Sequence, residues 1–110
     1  MREKRPIKPE EILLIQYMLY QKNLNPADYS IAKMVDEYED GKMGSIGMGN
    51  ETNIYESDLA QAEYVDSDGV EVVITLTKDT QNQLLDLDFW KVDFSKLIAY
   101  PKPTDLVFVK

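Results

Sequence analysis

The chain contains neither cysteine nor histidine among its 110 residues. Without cysteine it can form no disulfide, no thiolate nucleophile and no cysteine-ligated zinc site. Without histidine it lacks the commonest general base, and a Ser-His-Asp or Cys-His arrangement cannot form within it. We therefore predict no catalytic residue, no metal site and no cofactor. An enzyme built on this chain would depend on carboxylates, tyrosine or lysine, and the composition favours a non-enzymatic protein.

Positive charge is also scarce. The only arginines are Arg2 and Arg5, and the net charge at pH 7 is -8. Nucleic acids and anionic membranes are bound by clustered lysine and arginine, so we predict neither partner. The longest apolar stretch, residues 12–20, is interrupted by Gln16 and falls short of the roughly 20 residues of a membrane span. No signal-peptide pattern is present, and we expect a cytoplasmic protein.

One helix is predicted near the start of the chain. Proline suits the first helical position, so the helix begins at Pro9, and Pro26 prevents its continuation beyond residues 21–25. Apolar residues occur nearly all round this helix, whereas a surface helix normally has one polar face. The helix is either central and covered on several sides, or one of its stripes is a partner surface such as a homodimer contact.

The second half of the chain predicts antiparallel strands. Residues 59–66 and 70–77 flank a turn at 67–69, and residues 84–92 alternate with Leu85, Leu87 and Phe89 on the core face. Leu84 is expected on the opposite face. Residues 31–38 fit a helix or a strand, and we favour a hairpin with a turn at 39–42 and a returning strand at 43–49. Residues 106–109 form a short edge strand.

These elements predict an α+β fold, with the N-terminal helix packed on an antiparallel sheet of about five strands in a hairpin meander. At 110 residues and 44% hydrophobic residues, the chain fits a single domain, residues 1–110, with one core. Residues 1–8 are expected to be a flexible lead-in.

One short segment is a candidate binding face. Asp86, Asp88 and Trp90 project from the same side of a strand, and Asp93 follows just beyond. Two carboxylates beside an aromatic ring suit a cation or a sugar, and a carboxylate pair can perform acid/base chemistry. The alternative is a solvated sheet face, on which the acids serve solubility.

Two other motifs give less support for a binding site. Residues 66–69, Asp-Ser-Asp-Gly, are similar to part of a calcium loop, but Tyr64 and Thr75 occupy the first and last ligand positions, and a tight turn explains the residues. The Gly41-Lys42 pair lacks the spacing of a phosphate loop, because Met43 stands where Ser or Thr is needed.

Three stretches together, residues 40–45, 66–72 and 85–97, resemble a small bacterial family labelled as a domain of unknown function. The most distinctive part is Trp-Lys-Val-Asp-Phe-Ser at residues 90–95. The resemblance covers nearly the whole chain and implies a compact bacterial α+β domain. It implies no activity, cofactor or catalytic residue.

Taken together, these features favour a protein-interaction module that self-associates or binds a protein partner. A specific form is an inhibitor or immunity-type protein that neutralises a basic partner, with its acids steering association. The alternative is a small-ligand or cation binder, or a carboxylate-dependent enzyme, that uses Asp86, Asp88 and Trp90.

Overall fold

A computed structural model describes residues 4–37, 45–49 and 52–108 of the chain. The helices and strands in these residues are β1 (Lys4–Pro6), α1 (Pro9–Gln21), β2 (Met34–Glu37), β3 (Ile46–Gly47), β4 (Tyr55–Val65), β5 (Glu71–Asp79), β6 (Leu84–Lys91) and β7 (Val107–Phe108). Short 3-10 helices lie at Pro26–Asp28 and Pro103–Asp105. The predicted α+β class, with an N-terminal helix, is confirmed.

The helix begins and ends where the sequence predicts. Pro9 occupies the first turn, and a Glu11 carboxylate oxygen accepts a hydrogen bond from the backbone N–H of Lys8 at 2.9 Å. That bond satisfies one of the N–H groups that a helix start leaves without an intrahelical partner. After Gln21 the chain turns away at Asn23, which adopts a left-handed φ of 60°. Asparagine tolerates this conformation, which commonly terminates helices.

The sheet has seven strands among the described residues, in the order β1-β2-β3-β6-β5-β4-β7, so the expectation of about five is wrong. The sheet combines the set β1-β2-β3, in which α1 connects β1 to β2, with the hairpin meander β4-β5-β6. The two sets are joined side by side through the pairing of Ile46 with Leu87. The strand that was not predicted is β1, which has only three residues and cannot display a clear alternating pattern. The short strands β3 and β7 lie within the strands expected at residues 43–49 and 106–109.

Several predicted boundaries need correction. The expected flexible lead-in contains β1, which pairs with β2, and β4 begins at Tyr55 rather than at residue 59. Residues 34–37 are a strand, as the hairpin interpretation expected, while the turn predicted at 39–42 lies outside the described residues. The edge strand predicted at residues 106–109 is present as β7.

The core lies on one face of the sheet, beneath α1 and the segment that follows β6. Its fully buried members come from the helix and from the inward positions of the strands: Leu14, Ile15, Met18, Leu19, Val35, Ile46, Ala62, Val72, Ile74, Leu76 and Leu87. The C-terminal segment adds Tyr100, whose ring lies 5.3 Å from that of Phe89. Within the described residues, the helix and the C-terminal segment cover only this face of the sheet.

The alternation in β6 holds from Leu87 onward but not at its start. Leu84 is only 4% exposed, although it was expected opposite the core, and Leu85 is half-buried. The register between β5 and β6 shifts between Leu76 and Lys78. A bulge adds one residue to one strand, so the side chains beyond it exchange faces.

The helix is not covered all round by the described residues. Leu13 is 56% exposed and Tyr20 is 71% exposed, while Tyr17 is half-buried with its ring 5.8 Å from that of Phe108. The interpretation of a central helix covered on several sides is therefore wrong for this stripe. In the described residues, no helix is long and apolar enough to cross a membrane.

Candidate binding face

The face of the sheet opposite α1 carries the predicted site. Its outward strand positions alternate with the buried ones, and we call them the open face: Gln61, Glu63 and Val65 on β4, Glu71, Val73 and Thr75 on β5, and Asp86, Asp88 and Trp90 on β6. Strand register places Glu63, Val73 and Trp90 in one row, and Gln61, Thr75 and Asp88 in the next. The antiparallel pairing therefore surrounds Trp90 with residues distant in the sequence.

Trp90 lies in an apolar patch on this face. Its side chain is 45% exposed, and its cross-strand neighbour is Val73. Further exposed apolar side chains belong to the same face or to its margin: Val65, Val92, Phe94 and Val107. The solvated face of an antiparallel sheet is normally polar, so exposed apolar residues gathered around a tryptophan are unusual.

Phe94 is the neighbour that the sequence did not indicate. Its ring centroid lies 6.2 Å from that of Trp90, with the ring planes inclined at 52°, and its side chain is 71% exposed. Phe94 also adopts a left-handed φ of 63°. That conformation costs a bulky residue on the order of 1–3 kcal/mol, and such strain concentrates at functional sites.

A tight turn after β6 holds Phe94 in place. The backbone N–H of Phe94 donates to the carbonyl of Lys91 at 2.8 Å. One oxygen of Asp93 accepts from the hydroxyl of Ser95 at 2.6 Å and from its N–H at 2.9 Å. These two bonds, the hydroxyl first, lower the pKa of Asp93 and favour its charged form.

Asp88 is exposed and has one side-chain partner from another element. The hydroxyl of Ser45 lies 3.0 Å from an Asp88 carboxylate oxygen and also accepts from the backbone N–H of Phe89 at 2.8 Å. Ser45 thus continues the pairing of β6 beyond the short β3. The carboxylate itself remains at the surface, two residues from Trp90.

Asp86 behaves differently from the other predicted site residues. It is half-buried, and its carboxylate lies 3.3 Å from the hydroxyl of Thr77, which also accepts from the Asp86 N–H at 3.0 Å. These bonds sit at the bulge between β5 and β6. The structure therefore places Asp88 and Trp90 together on the accessible surface, with Asp93 beside Phe94, and assigns Asp86 a local structural role.

A second charged cluster lies inside the fold, and the sequence did not indicate it. The ammonium of Lys91 is buried and donates to Asp66 at 2.9 Å, to Asp68 at 2.7 Å and to the carbonyl of Lys96 at 3.0 Å. Asp66 also accepts from the backbone N–H groups of Ile98 and Ala99, each at 2.9 Å. We call Lys91 and Asp66 the buried clamp, because together with the exposed Asp68 they tie a hairpin turn to β6 and to the C-terminal segment.

Electrostatics keep the buried clamp charged. Burial by itself raises the pKa of Asp66, but the N–H of Ile98, the Lys91 ammonium and the N–H groups of Ser67 and Ala99 outweigh burial and hold that pKa well below its usual range. Burial lowers the pKa of Lys91, yet Asp68 and Asp66 outweigh it and raise the pKa. The alternation along β6 does place Lys91 on the inward side with Leu87 and Phe89, but it does not show which residues pair with the lysine.

A small polar cavity lies near the start of α1. Arg5, Lys8, Glu10, Glu11, Glu37, Ser45 and Tyr100 line a volume of about 170 Å³. The Arg5 guanidinium donates hydrogen bonds to both carboxylate oxygens of Glu11, at 3.0 and 2.8 Å. The Tyr100 hydroxyl is buried there and has no hydrogen-bond partner among the described residues. Burial, followed by the nearby Glu11 and Glu10 carboxylates, raises the Tyr100 pKa.

The described residues contain no group of three or more carboxylates able to hold a metal ion. Local hydrogen bonds and charges lower the pKa of Glu11, Asp66, Asp79 and Asp93. Each of these groups is therefore held as a carboxylate, whereas a general acid at neutral pH needs a raised pKa.

Comparison with curated proteins gave no match. Comparison with solved structures gave no match either. The family model described as "Domain of unknown function (DUF6984)" matches residues 4–101, which include the whole of α1, the buried clamp and the open-face positions of β4, β5 and β6. The chain therefore belongs to the family of this domain of unknown function, DUF6984.

Proposed function

We propose that this domain is a protein-interaction module that binds a basic partner through the open face. The observation that carries the proposal is an exposed patch around Trp90, beside which the charged outward positions of β4, β5 and β6 are all acidic. The outward positions of β4, β5 and β6 include Glu63, Glu71, Asp86 and Asp88, and none of them is lysine or arginine.

The apolar part of the patch supplies the contact area. Tryptophan is among the residues enriched at the energetic centres of interfaces, where surrounding contacts exclude water. Val73 lies directly across from Trp90, and the 66% exposed Val65 lies in the neighbouring row. A partner that covers this patch gains hydrophobic stabilisation at little cost, because the strands are already rigid.

The acidic residues of the open face favour a positively charged partner. Acidic residues at the rim accelerate encounter with a positively charged surface, and the net charge of -8 adds to the same field. Self-association through this face would bring the Glu63, Glu71 and Asp88 carboxylates of two copies toward each other. Like charges across an interface are unfavourable, so the face suits a basic protein better than a second copy.

A partner whose basic surface is functional would be neutralised by such binding, as an inhibitor or immunity-type protein does. The small-ligand and enzyme alternatives at Asp86, Asp88 and Trp90 have less support. Asp86 is bound to Thr77 at the bulge, and the polar cavity described above lies beside Tyr100 instead. A bacterial and cytoplasmic setting remains the expectation from the sequence.

The test uses a photo-crosslinking amino acid placed at Val92, at the margin of the open face, with Tyr20 on the exposed helix stripe as the matched control. Crosslinking in cells that express the full chain identifies the partner by mass spectrometry. We expect a basic partner from the Val92 site and not from the Tyr20 site. The purified complex should then weaken at least tenfold between 50 and 500 mM salt.

Three outcomes would overturn the proposal. Crosslinks that form only from Tyr20 would assign recognition to the helix stripe. Crosslinks from Val92 to a second copy, together with a dimer mass in light scattering across a dilution series, would assign the open face to self-association. Affinity that is unchanged at high salt would remove the electrostatic basis of the proposal.

A further inference from the structure

We propose that Trp90 and Phe94 form an aromatic corner that receives one cationic side chain, lysine or arginine, from the partner. The inference rests on the proposed function, because it names the chemical group recognised by the same face. It goes further in assigning recognition to Phe94, which lies outside the strand and was not among the residues predicted from the sequence.

The geometry of the two rings carries the first step. Their centroids are 6.2 Å apart and their planes are inclined at 52°, so they diverge instead of stacking flat against each other. Trp90 is 45% exposed and Phe94 is 71% exposed, which leaves both rings accessible. A cation is attracted to the face of an aromatic ring within about 6 Å of its centroid, and tryptophan is the strongest such ring.

The backbone of Phe94 carries the second step. The other residues with positive φ in the described chain are Asn23, Asn82 and Gly69, which are types that tolerate it. Phe94 is bulky, adopts a φ of 63° and gains little burial in return. The turn therefore keeps Phe94 in an unfavourable backbone conformation, and in this conformation its ring is exposed beside Trp90.

The charges around the corner carry the third step. Asp88 lies two residues before Trp90 on the same side of β6, and Asp93 directly precedes Phe94. The bonds from Ser95 keep Asp93 charged and fixed. Lys91 lies between the two rings in the sequence, but its ammonium is committed to Asp66 and Asp68 in the interior. The corner therefore offers two carboxylates to a cation from outside.

The experiment uses the fact that Trp90 is the only tryptophan of the chain, so its fluorescence reports the corner directly. The full chain is titrated with a Gly-Ser peptide that contains one arginine, and with the same peptide containing citrulline, its neutral isostere. A lysine and acetyl-lysine pair repeats the comparison. We expect a saturable change in Trp90 emission with the arginine and lysine peptides and none with the neutral ones.

Phe94→Ala should weaken the arginine peptide about two- to fivefold, the range expected for one exposed cation–π contact. Asp88→Asn should weaken it as well, whereas Tyr20→Ala on the helix stripe should leave it unchanged. Circular dichroism confirms that each variant is folded. Equal binding of the citrulline peptide, or no effect of Phe94→Ala, would overturn the aromatic corner.

These outcomes separate the two proposals. If the crosslinked partner binds through Val92 while Phe94→Ala leaves both the partner and the arginine peptide unaffected, the open face stands and the corner is wrong. If the corner binds the arginine peptide but the partner is captured only from the helix stripe, the corner stands and the assignment of the partner to the open face is wrong.

Discussion

Trp90 and Lys91 are adjacent in the chain and lie in opposite environments. Trp90 is 45% exposed on the open face, while Lys91 is fully buried against Asp66 and Asp68. The same strand thus contributes to a surface that solvent reaches and to an ion pair that solvent does not reach. The distinctive Trp-Lys-Val-Asp-Phe-Ser segment combines two roles, because successive side chains of a strand point to opposite faces.

The comparison separates two uses of aspartate. In the buried clamp, Asp66 holds an ammonium and two backbone N–H groups of the C-terminal segment, so its removal leaves several buried groups unpaired. On the open face, Asp88 is exposed and has one hydroxyl partner. We therefore expect the buried clamp to control stability and the open face to control binding.

The largest effect is expected from Asp66→Ala. In this variant the buried Lys91 ammonium is still paired with Asp68, but the N–H groups of Ile98 and Ala99 lose their acceptor, and breaking a buried ion pair on one side costs about 3–5 kcal/mol. Urea denaturation should show this loss, and Asp88→Ala should change the free energy of unfolding by less than about 1 kcal/mol. A loss at Asp88 as large as that at Asp66 would contradict the division between the two regions. If Asp66→Ala does not fold, Asp66→Asn supplies the comparison.

The second effect concerns acid. The folded-state pKa of Asp66 is lowered, so its stabilisation is present above the unfolded pKa of about 4 and is lost as pH falls through the folded pKa. Thermal unfolding between pH 6 and pH 2 should show wild-type stability falling more steeply than that of Asp66→Asn. The pKa of Asp93 is also lowered, but solvent screens this exposed group, and Asp93→Asn should keep the steep fall.

The third effect concerns Phe94, which is expected to contribute to binding and not to stability. Phe94→Gly should raise the free energy of unfolding by up to about 1 kcal/mol, because glycine adopts a positive φ without strain. The same variant should lose affinity for the arginine peptide. Val92→Gly is the matched control and should lower stability. A clear loss of stability in Phe94→Gly would show that the ring has a structural role.

The smallest effect is expected beside the polar cavity. Tyr100→Phe removes a buried hydroxyl that has no hydrogen-bond partner among the described residues, so denaturant unfolding should show a change between zero and a gain of about 1 kcal/mol. Tyr64→Phe is the control, because its hydroxyl donates to the carbonyl of Ala99 at 2.9 Å. Its loss should cost about 1 kcal/mol. A larger loss at Tyr100 than at Tyr64 would contradict this assignment.

Local patterns predicted much of the fold. The proline and acids at the start of α1, the alternation along β5 and the Asp-Ser-Asp-Gly turn each depend on neighbours within a few residues. The strand β1 was not predicted, because a strand of three residues is recognised only through its partner, whereas β3 lies within the returning strand expected at residues 43–49. The bulge that buried Leu84 likewise depends on register with β5.

The sequence predicted only part of the candidate site. Period-two alternation placed Asp88 and Trp90 on one face, since that rule is local. Phe94 was not included because its position depends on a turn with a positive φ, and alternation does not extend through a turn. The pairing of Lys91 with Asp66 spans 25 residues, so the motif alone could not show it.

By itself, the sequence determined the helix, the main strand alternation, the family, and the absence of thiol and imidazole chemistry, because each follows from composition or from short-range spacing. Only the tertiary structure decided which charges became buried and which remained at the surface. Long-range strand pairing enclosed Lys91 with Asp66 and left Trp90 in solvent, and burial rather than residue type determines whether a charge stabilises the fold or is available to a partner.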